Sequence, residues 1–454
     1  MYLPNSSSSK IATQIAALLA ESGLHTSLQL QAATGASQSA VSRALAGLGK
    51  NADQGLLVLG RARSTRYALV RSILGRWPGT QAVFATDAEG QISRWGTLHF
   101  LAGEQLVVAA DKAFGGAESI TRASLPWFMA PLKPQGFMGR LRAQQLGYAS
   151  LNPEQWSLER TLNALVSQEH DTPGALSLGE NQAAPSQDAP EDLAQRGVFY
   201  DNIAQDVAQT LPAGSSAGGD QPKFVTSVNS ARGYERFIVK FSPPRCTPFG
   251  ERWHDLLHTE HLALATLAKH GFTVSRSRIL ESARRTYLES LRFDRVGRLG
   301  KRHVIPLSAI HAHFVAGPPQ HWAATCSALP QRSLLSQQDA ERVNTLRHFG
   351  RLIGNTDMHF GNLSLTPKNL AFGEPPFFTL APVYDMLPML WRPNEFRDEL
   401  GYSNFAVPQA PLGAGQSWPD AVNMAQVFWS AVADCKSLSI ELRRVAAKQL
   451  TAMS

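Results

Sequence analysis

A chain of 454 residues is long enough for roughly two to four domains and a sizeable core. Its 43% hydrophobic and 17% charged content excludes a disordered chain, and no run nears the ~18 apolar residues of a membrane-spanning helix. Of the net charge of +7, residues 1–75 hold +5: seven basic side chains (Lys10, Arg43, Lys50, Arg61, Arg63, Arg66, Arg71) against Glu21 and Asp53.

That concentration of charge predicts a polyanion partner for this segment in particular. Ile11, Ile15, Leu18 and Leu19 are spaced for one face of a helix over 10–21. A short helix fits 27–33, Thr34-Gly35-Ala36 makes a tight turn, and Ser37 is a good N-cap for a third helix to about Leu48. Val41, Ala44, Leu45 and Leu48 face inward there, whereas Gln38, Ser39, Ser42 and Arg43 face out. Residues 55–60 and 65–69 then read as a hairpin tipped by Arg61-Ala62-Arg63. The pattern is that of a winged helix-turn-helix over 1–75. Its third helix would enter the major groove of duplex DNA while Arg61, Arg63 and Arg66 neutralise phosphates. Specific sites of dimeric helix-turn-helix proteins come as paired half-sites, so a palindromic operator near the protein's own gene is expected, and a homodimer would fit it.

Short β candidates at 82–85, 92–98 and 105–109 follow, predicting a β-rich subdomain over 77–150. A helical or linker segment is expected over 151–200. Within it, residues 168–192, rich in Gln, Ser, Pro, Asp and Ala, read as a linker or mobile loop.

Beyond Leu211 the chain carries chemistry. A small-residue loop, Ser215-Ser216-Ala217-Gly218-Gly219-Asp220, leads into a hairpin with Lys240 on its second strand. Glycines let backbone amides approach phosphate oxygens, and a strand lysine reaches the same phosphates. In the next helix, about 251–269, Glu260 falls on the stripe made by Trp253, Leu256, Leu257, Leu264 and Leu267. A carboxylate on a buried face needs a cation, and Lys240 is the expected partner. Residues 287–295 read as a strand running into a connector, and from about 301 the chain is mostly helical.

Gly354 to Leu365 sets Asp357 and Asn362 five residues apart, and Asp385 follows in a short apolar segment. A kinase catalytic loop spaces its base and its metal-binding Asn in this way. A turn built from Asp, Asn and Gly is the plainer alternative. A third reading makes Asp357, His359, Asn362 and Asp385, with His311 and His313, the centre of a metal-dependent hydrolase acting on bound DNA. A fourth makes the body a catalytically weak ligand sensor for a transcriptional regulator.

Taken together, Ser215 to Lys223, Lys240, Glu260, Arg292-Phe293-Asp294-Arg295, Asn355-Thr356-Asp357-x-His359-x-x-Asn362 and Tyr384-Asp385 resemble the HipA family of serine/threonine kinases. With its fused DNA-binding segment the chain is similar to the YjjJ-type members. The resemblance spans roughly 77–454 and implies an α+β, two-lobed protein-kinase-like fold, with an N-lobe over 201–300 and a helical C-lobe over 301–454. It implies ATP and Mg2+ as cofactors, Asp357 as catalytic base, and Asn362 and Asp385 as metal ligands. Lys240, Ser215, Ser216, Gly218, Gly219, Glu260 and His359 would surround the nucleotide, with Leu291 and Phe293 against the adenine. It further implies autophosphorylation of Ser215, a protein substrate, a toxin of a toxin–antitoxin pair, and a cytoplasmic location. The glycine loop is longer than the family's usual form and carries Asp220, which would repel ATP unless a cation screens it. The fused DNA-binding segment leaves open whether a separate antitoxin is needed. Three scattered cysteines without a Cys-x-x-Cys pair, and an N-terminus without a signal-peptide pattern, agree with a reducing cytoplasm.

Overall fold

The computed structural model describes residues 6–50, 55–167, 171–179, 188–210, 221–372, 375–393, 401–403 and 405–453. At the N-terminus, α1 (Ser6–Ser22), β1 (His25–Thr26), α2 (Ser27–Thr34), α3 (Gln38–Gly49), β2 (Leu56–Leu59) and β3 (Arg66–Leu69) form three helices against a sheet of order β1-β3-β2. Local chemistry sets the boundaries. Thr26 and Gln29 cap α2 reciprocally, Gly35 closes it with φ +66°, and the Ser37 hydroxyl accepts from Ala40 N to start α3. Ile15, Leu19, Leu30, Val41, Ala44, Leu45 and Leu48 form the core, the faces that the sequence periodicity picks out. The hairpin tip is a 3-10 turn, Ala62–Ser64.

A five-stranded antiparallel sheet follows, built from β4 (Thr80–Thr86), β5 (Ile92–Leu101), β6 (Gln105–Ala110) and β7 (Glu118–Arg122), with α4 (Gly136–Gln145) and α5 (Leu158–Val166) after it. Its fifth strand, β8 (Leu176–Leu178), pairs with β4 in the order β7-β6-β5-β4-β8. Here the structure differs from the expectation of a linker over 168–192. Leu176 and Leu178 are buried against Val83 and Ala85, a three-residue strand too short to stand out in its polar surroundings. Likewise β9 (Asp188–Ala189) joins the next sheet in parallel with its neighbour.

The N-terminal unit does not hang free of this sheet. Leu59, Ala68, Leu101 and Val107 share one buried cluster with Leu24, Leu57 and Val70. Gln105 accepts from Leu24 N at 3.0 Å and donates to Ser22 O at 3.3 Å. Gly23 makes the approach possible: its φ is +79°, and a Cβ there would stand 2.6 Å from Gln105 Oε1 and 2.8 Å from Ala102 O.

The remaining chain forms two layers of unequal kind. After α6 (Leu193–Thr210) come β10 (Lys223–Ser230), β11 (Gly233–Phe241), α7 (Pro248–Lys269), β12 (Ser277–Glu281) and β13 (Thr286–Leu291), giving a sheet of order β12-β13-β11-β10-β9. Phe237, Val239 and Phe241 pack toward Tyr200 and Ala204 of α6, so the alternation along β11 turns Lys240 to the opposite face, toward α7. One short pair, β14 (Arg295–Val296) with β15 (Gly300–Lys301), and then the strand β16 (Ile305–Pro306) lead into α8 (Leu307–Phe314), α9 (Trp322–Ala328) and α10 (Gln337–Leu352). Next come β17 (Ser364–Pro367), β18 (Phe378–Leu380), α11 (Ser417–Asp434) and α12 (Ile440–Met453). The largest core joins these helices around Phe349, Phe428 and Trp429. The result is an α+β body of a sheet-rich lobe and a helical lobe, with their junction at residues 291–295. Among the described residues no helix is long and apolar enough to cross a membrane.

Candidate active site at the lobe junction

Lys240 lies where β11 meets α7. Thr247 caps that helix by accepting from Gly250 N at 3.0 Å, and Pro248 opens it. Lys240 Nζ donates to both oxygens of Glu260 at 2.7 Å and to Asp385 Oδ1 at 2.6 Å. Glu260 is 1% exposed and Lys240 5%, so the ion pair expected from the apolar stripe is present and buried. Burial works against the charge on Lys240, but Asp385 and Glu260 reverse that and hold its ammonium above the usual range. Burial pushes Glu260 up, with Asp385 adding to it against the pull of Lys240. Asp385, less enclosed, is held below the usual range: burial acts against this, and the attraction of Lys240 and Lys223 prevails. Lys223 sits opposite Lys240 in register, a basic residue beside the carboxylates that sequence reasoning missed. The alternation Lys223, Val225, Ser227 on β10 was the available signal.

The loop after α10 is held by its own polar atoms. Gly354 has φ +76°, Asn355 N donates to Gly350 O at 2.8 Å, and Asn355 Oδ1 accepts from Asp357 N at 2.9 Å. This is an Asx turn that aims Asp357 outward, with its side chain 43% exposed. Asn362 Nδ2 donates to Asp357 O at 2.9 Å, which leaves Oδ1 as the amide atom suited to a cation. His359 Nδ1 accepts from Gly361 N at 3.0 Å, and its Nε2 lies 3.9 Å from Asp357 Oδ1. Tyr384 ties this loop to the Asp385 segment: its hydroxyl donates to Gly361 O at 2.8 Å and meets Ser364 Oγ at 2.8 Å. Asp385 takes φ +53°, a left-handed backbone rare for a non-glycine residue and frequent at functional sites.

At the connector, Leu291 donates its N–H to Arg276 O at 2.8 Å, and its carbonyl accepts from Ser275 Oγ at 2.8 Å. The donor a nucleotide base would seek from Leu291 is thus already used. Phe293 is half-buried, with its ring 5.7 Å from Tyr384. The flanking Arg292, Asp294 and Arg295 serve packing. Asp294 accepts from Arg292 at 3.0 and 2.9 Å, from Arg295 at 2.7 Å and from Gly174 N at 3.0 Å. Asp171 pairs with Arg292, with Arg295 and, at 3.3 Å, with Arg236. Against burial, these arginines hold both carboxylates below their usual range. The motif therefore fastens the 171–175 segment to the lobe junction, a partner sequence reasoning had no means to name.

Ser215, Ser216, Gly218, Gly219 and Asp220 lie outside the described residues. His311 uses both ring nitrogens, on Thr325 and Gly317 O, and His313 stacks on Trp127. Neither joins Asp357, so the hydrolase centre loses two of its members. On the N-terminal unit, Gln38, Ser39, Ser42, Arg43, Arg61 and Arg63 are exposed and Arg66 is half-buried.

Comparison with known proteins finds similar families, one similar protein and similar solved structures. The family model of the YjjJ-like toxin middle domain matches residues 78–186, and that of the HipA-like C-terminal domain matches residues 215–449. Toxin YjjJ of Escherichia coli strain K12 is 34% identical over 407 residues, 85% of this chain and 86% of that protein. Among solved structures, HipA in complex with HipB and operator DNA from Shewanella oneidensis MR-1 has a TM-score of 0.49 at 14% identity, over 82% of this chain and 95% of that one. The Helicobacter pylori kinase CtkA has a TM-score of 0.33 at 12% identity, over 50% and 86%.

Proposed function

Since the chain belongs to the YjjJ-like toxins with a HipA-like C-terminal domain, we propose that it is an ATP- and Mg2+-dependent serine/threonine protein kinase that also binds duplex DNA through residues 1–75. The observation that carries the reading is Lys240 Nζ joined at once to Glu260 and Asp385. This three-way contact requires strand, helix and post-loop segment to converge on one point, as phosphoryl-transfer sites do. The donor set fits the cofactors. Asp385 and the Asn362 amide oxygen are hard oxygen ligands for Mg2+, and Lys240 with Lys223 offers cations to phosphate oxygens. When bound, Mg2+ would neutralise charge on the phosphoryl group. Glu260 fixes the Lys240 ammonium, and Tyr384 keeps Asp385 in step with the loop. Asp357, exposed and backed by the Asn355 turn, would accept the hydroxyl proton of a protein substrate. His359 would orient that carboxylate. Leu291 would line the base pocket only by its side chain, with Phe293 beside it. The glycine loop with Ser215 and Ser216 would close over the phosphates, and phosphorylation of Ser215 would expel it. As a toxin, the protein would act by modifying a cellular protein, with or without an antitoxin partner.

The test is transfer of labelled γ-phosphate from ATP to protein in extract, parent against Asp357→Asn. The variant should melt like the parent and lose transfer by about a hundredfold or more. Transfer within about threefold of the parent would remove Asp357 from the mechanism. DNA cleavage without ATP would favour the hydrolase instead.

A further inference from the structure

The helix that carries Glu260 has a second cluster of titratable groups. His254 and His258 stand one turn apart on α7, with ring centroids 4.5 Å apart, and are 6% and 7% exposed. His254 Nε2 lies 2.8 Å from Ser437 O. A carbonyl only accepts, so Nε2 bears the hydrogen and Nδ1, 2.7 Å from Thr286 Oγ1, keeps its lone pair. His258 Nε2 lies 3.2 Å from Glu281 Oε1, and Glu281 Oε2 takes Arg245 at 2.5 Å. The Glu281 carboxylate only accepts, so His258 Nε2 bears a hydrogen here, which a bound metal would displace. One ligand atom from each of the three residues lies within 4.8 Å of the others.

We propose that His254, His258 and Glu281 form a zinc site, with three protein ligands and a solvent molecule in the fourth position. Two imidazoles and a carboxylate with an open fourth position are one of the sets that hold zinc. Tetrahedral zinc with bonds of about 2.0–2.1 Å needs ligand atoms about 3.3 Å apart, the separation His258 and Glu281 already have. His254 would offer Nδ1 to the ion in place of the Thr286 hydroxyl, and its Nε2–H on the Ser437 carbonyl is the outer hydrogen bond that metal-bound imidazoles make. The ion would pin α7 to β12 and, through Ser437, to the turn between α11 and α12. It would act on the helix that positions Glu260 without touching the phosphoryl-transfer residues. An ordinary hydrogen-bonded histidine pair would hold no ion, which gives the proposal a direct test.

The full chain is stripped with a chelator and titrated with Zn2+ against a chromophoric competitor, in millimolar Mg2+ so that Asn362 and Asp385 are supplied with their own ion. The expected result is one tight Zn2+ per chain, a rise in melting temperature with Zn2+, and visible absorption bands with Co2+ in its place. Glu281→Gln, at the open side of the cluster, should weaken binding by at least about tenfold and abolish the melting shift, and His258→Gln should do the same. No binding of Zn2+ at one equivalent, or binding of equal strength in parent and Glu281→Gln, overturns the proposal. If His258→Gln does not fold, the Glu281→Gln comparison decides. The readout is binding alone, so its outcome is independent of whether the protein phosphorylates anything.

Discussion

The buried charges around Lys240 do different work from surface ion pairs, because each would be costly alone. Removing one partner strands the others in a low-dielectric site. Glu260→Gln should therefore weaken ATP binding only while Lys240 is present. In a double-mutant cycle with Lys240→Met, the coupling should be of the order of 1–3 kcal/mol. Additive losses would mean that the pair plays no joint part in holding nucleotide. This ion pair was legible in the sequence, because a carboxylate on the stripe Trp253, Leu256, Leu257, Leu264, Leu267 demands a cation and the preceding strand offers Lys240. Only the family resemblance puts Asp385 at the same site, and its direct contact with Lys240 was not legible. Asp385 lies 145 residues from Lys240, and nothing local to either residue records that they meet. The same holds for Asp171, whose arginine partners come from 236, 292 and 295.

Among the elements, α3 and the β2–β3 hairpin present the side chains that would meet DNA. Arg63 stands on the exposed hairpin tip, whereas Gln38 and Arg43 stand on the outer face of α3. Arg63→Ala should weaken binding to all duplexes alike and shallow the salt dependence by about one counterion. Gln38→Ala and Arg43→Ala should also relax sequence preference, by about 1–3 kcal/mol for each base no longer read. Footprinting and affinity measured against salt check both, and salt-independent binding without a protected site would count against the interface. These elements were readable because capping and periodicity are local: Thr26, Gly35 and Ser37 mark the ends they mark in space. β8 was hidden, since a strand of three residues draws its stability from β4 and not from its own sequence.

For the molecule as a whole, acid should be the weak side. Burial pushes His303, 4% exposed and wedged between Ala175 N and Phe128 O, down to about 4. An unfolded histidine titrates near 6.5, so its contribution is complete above that pH and is lost as pH falls toward 4. Asp171 and Asp294 are held low, so their contribution stands above about pH 4 and is lost below it. Melting temperature against pH should fall in two stages. His303→Gln should reduce the first by up to about 3 kcal/mol without abolishing it, because His258 and His348 are also pushed down to about 4. A variant with the parent's slope between pH 6.5 and 4 would show that burial does not hold His303 neutral.

Leu24 and Ser22, clasped by Gln105, fix the N-terminal unit that carries α3 to the β4–β8 sheet. Trp95, donating to Leu370 O, and Asp171, paired with Arg292 and Arg295, tie that part of the chain to the body that carries Lys240 and Asp357. A DNA site with two half-sites would then act as a jig for two such bodies. Each base pair inserted between the half-sites turns one copy about the DNA axis by about 34°, so five pairs would swing the second cleft to the far side of the duplex. A tethered binding unit would absorb that rotation in its linker. Here the helical phase of the operator would dictate which way the two clefts face, and whether one copy can present its loops to the other.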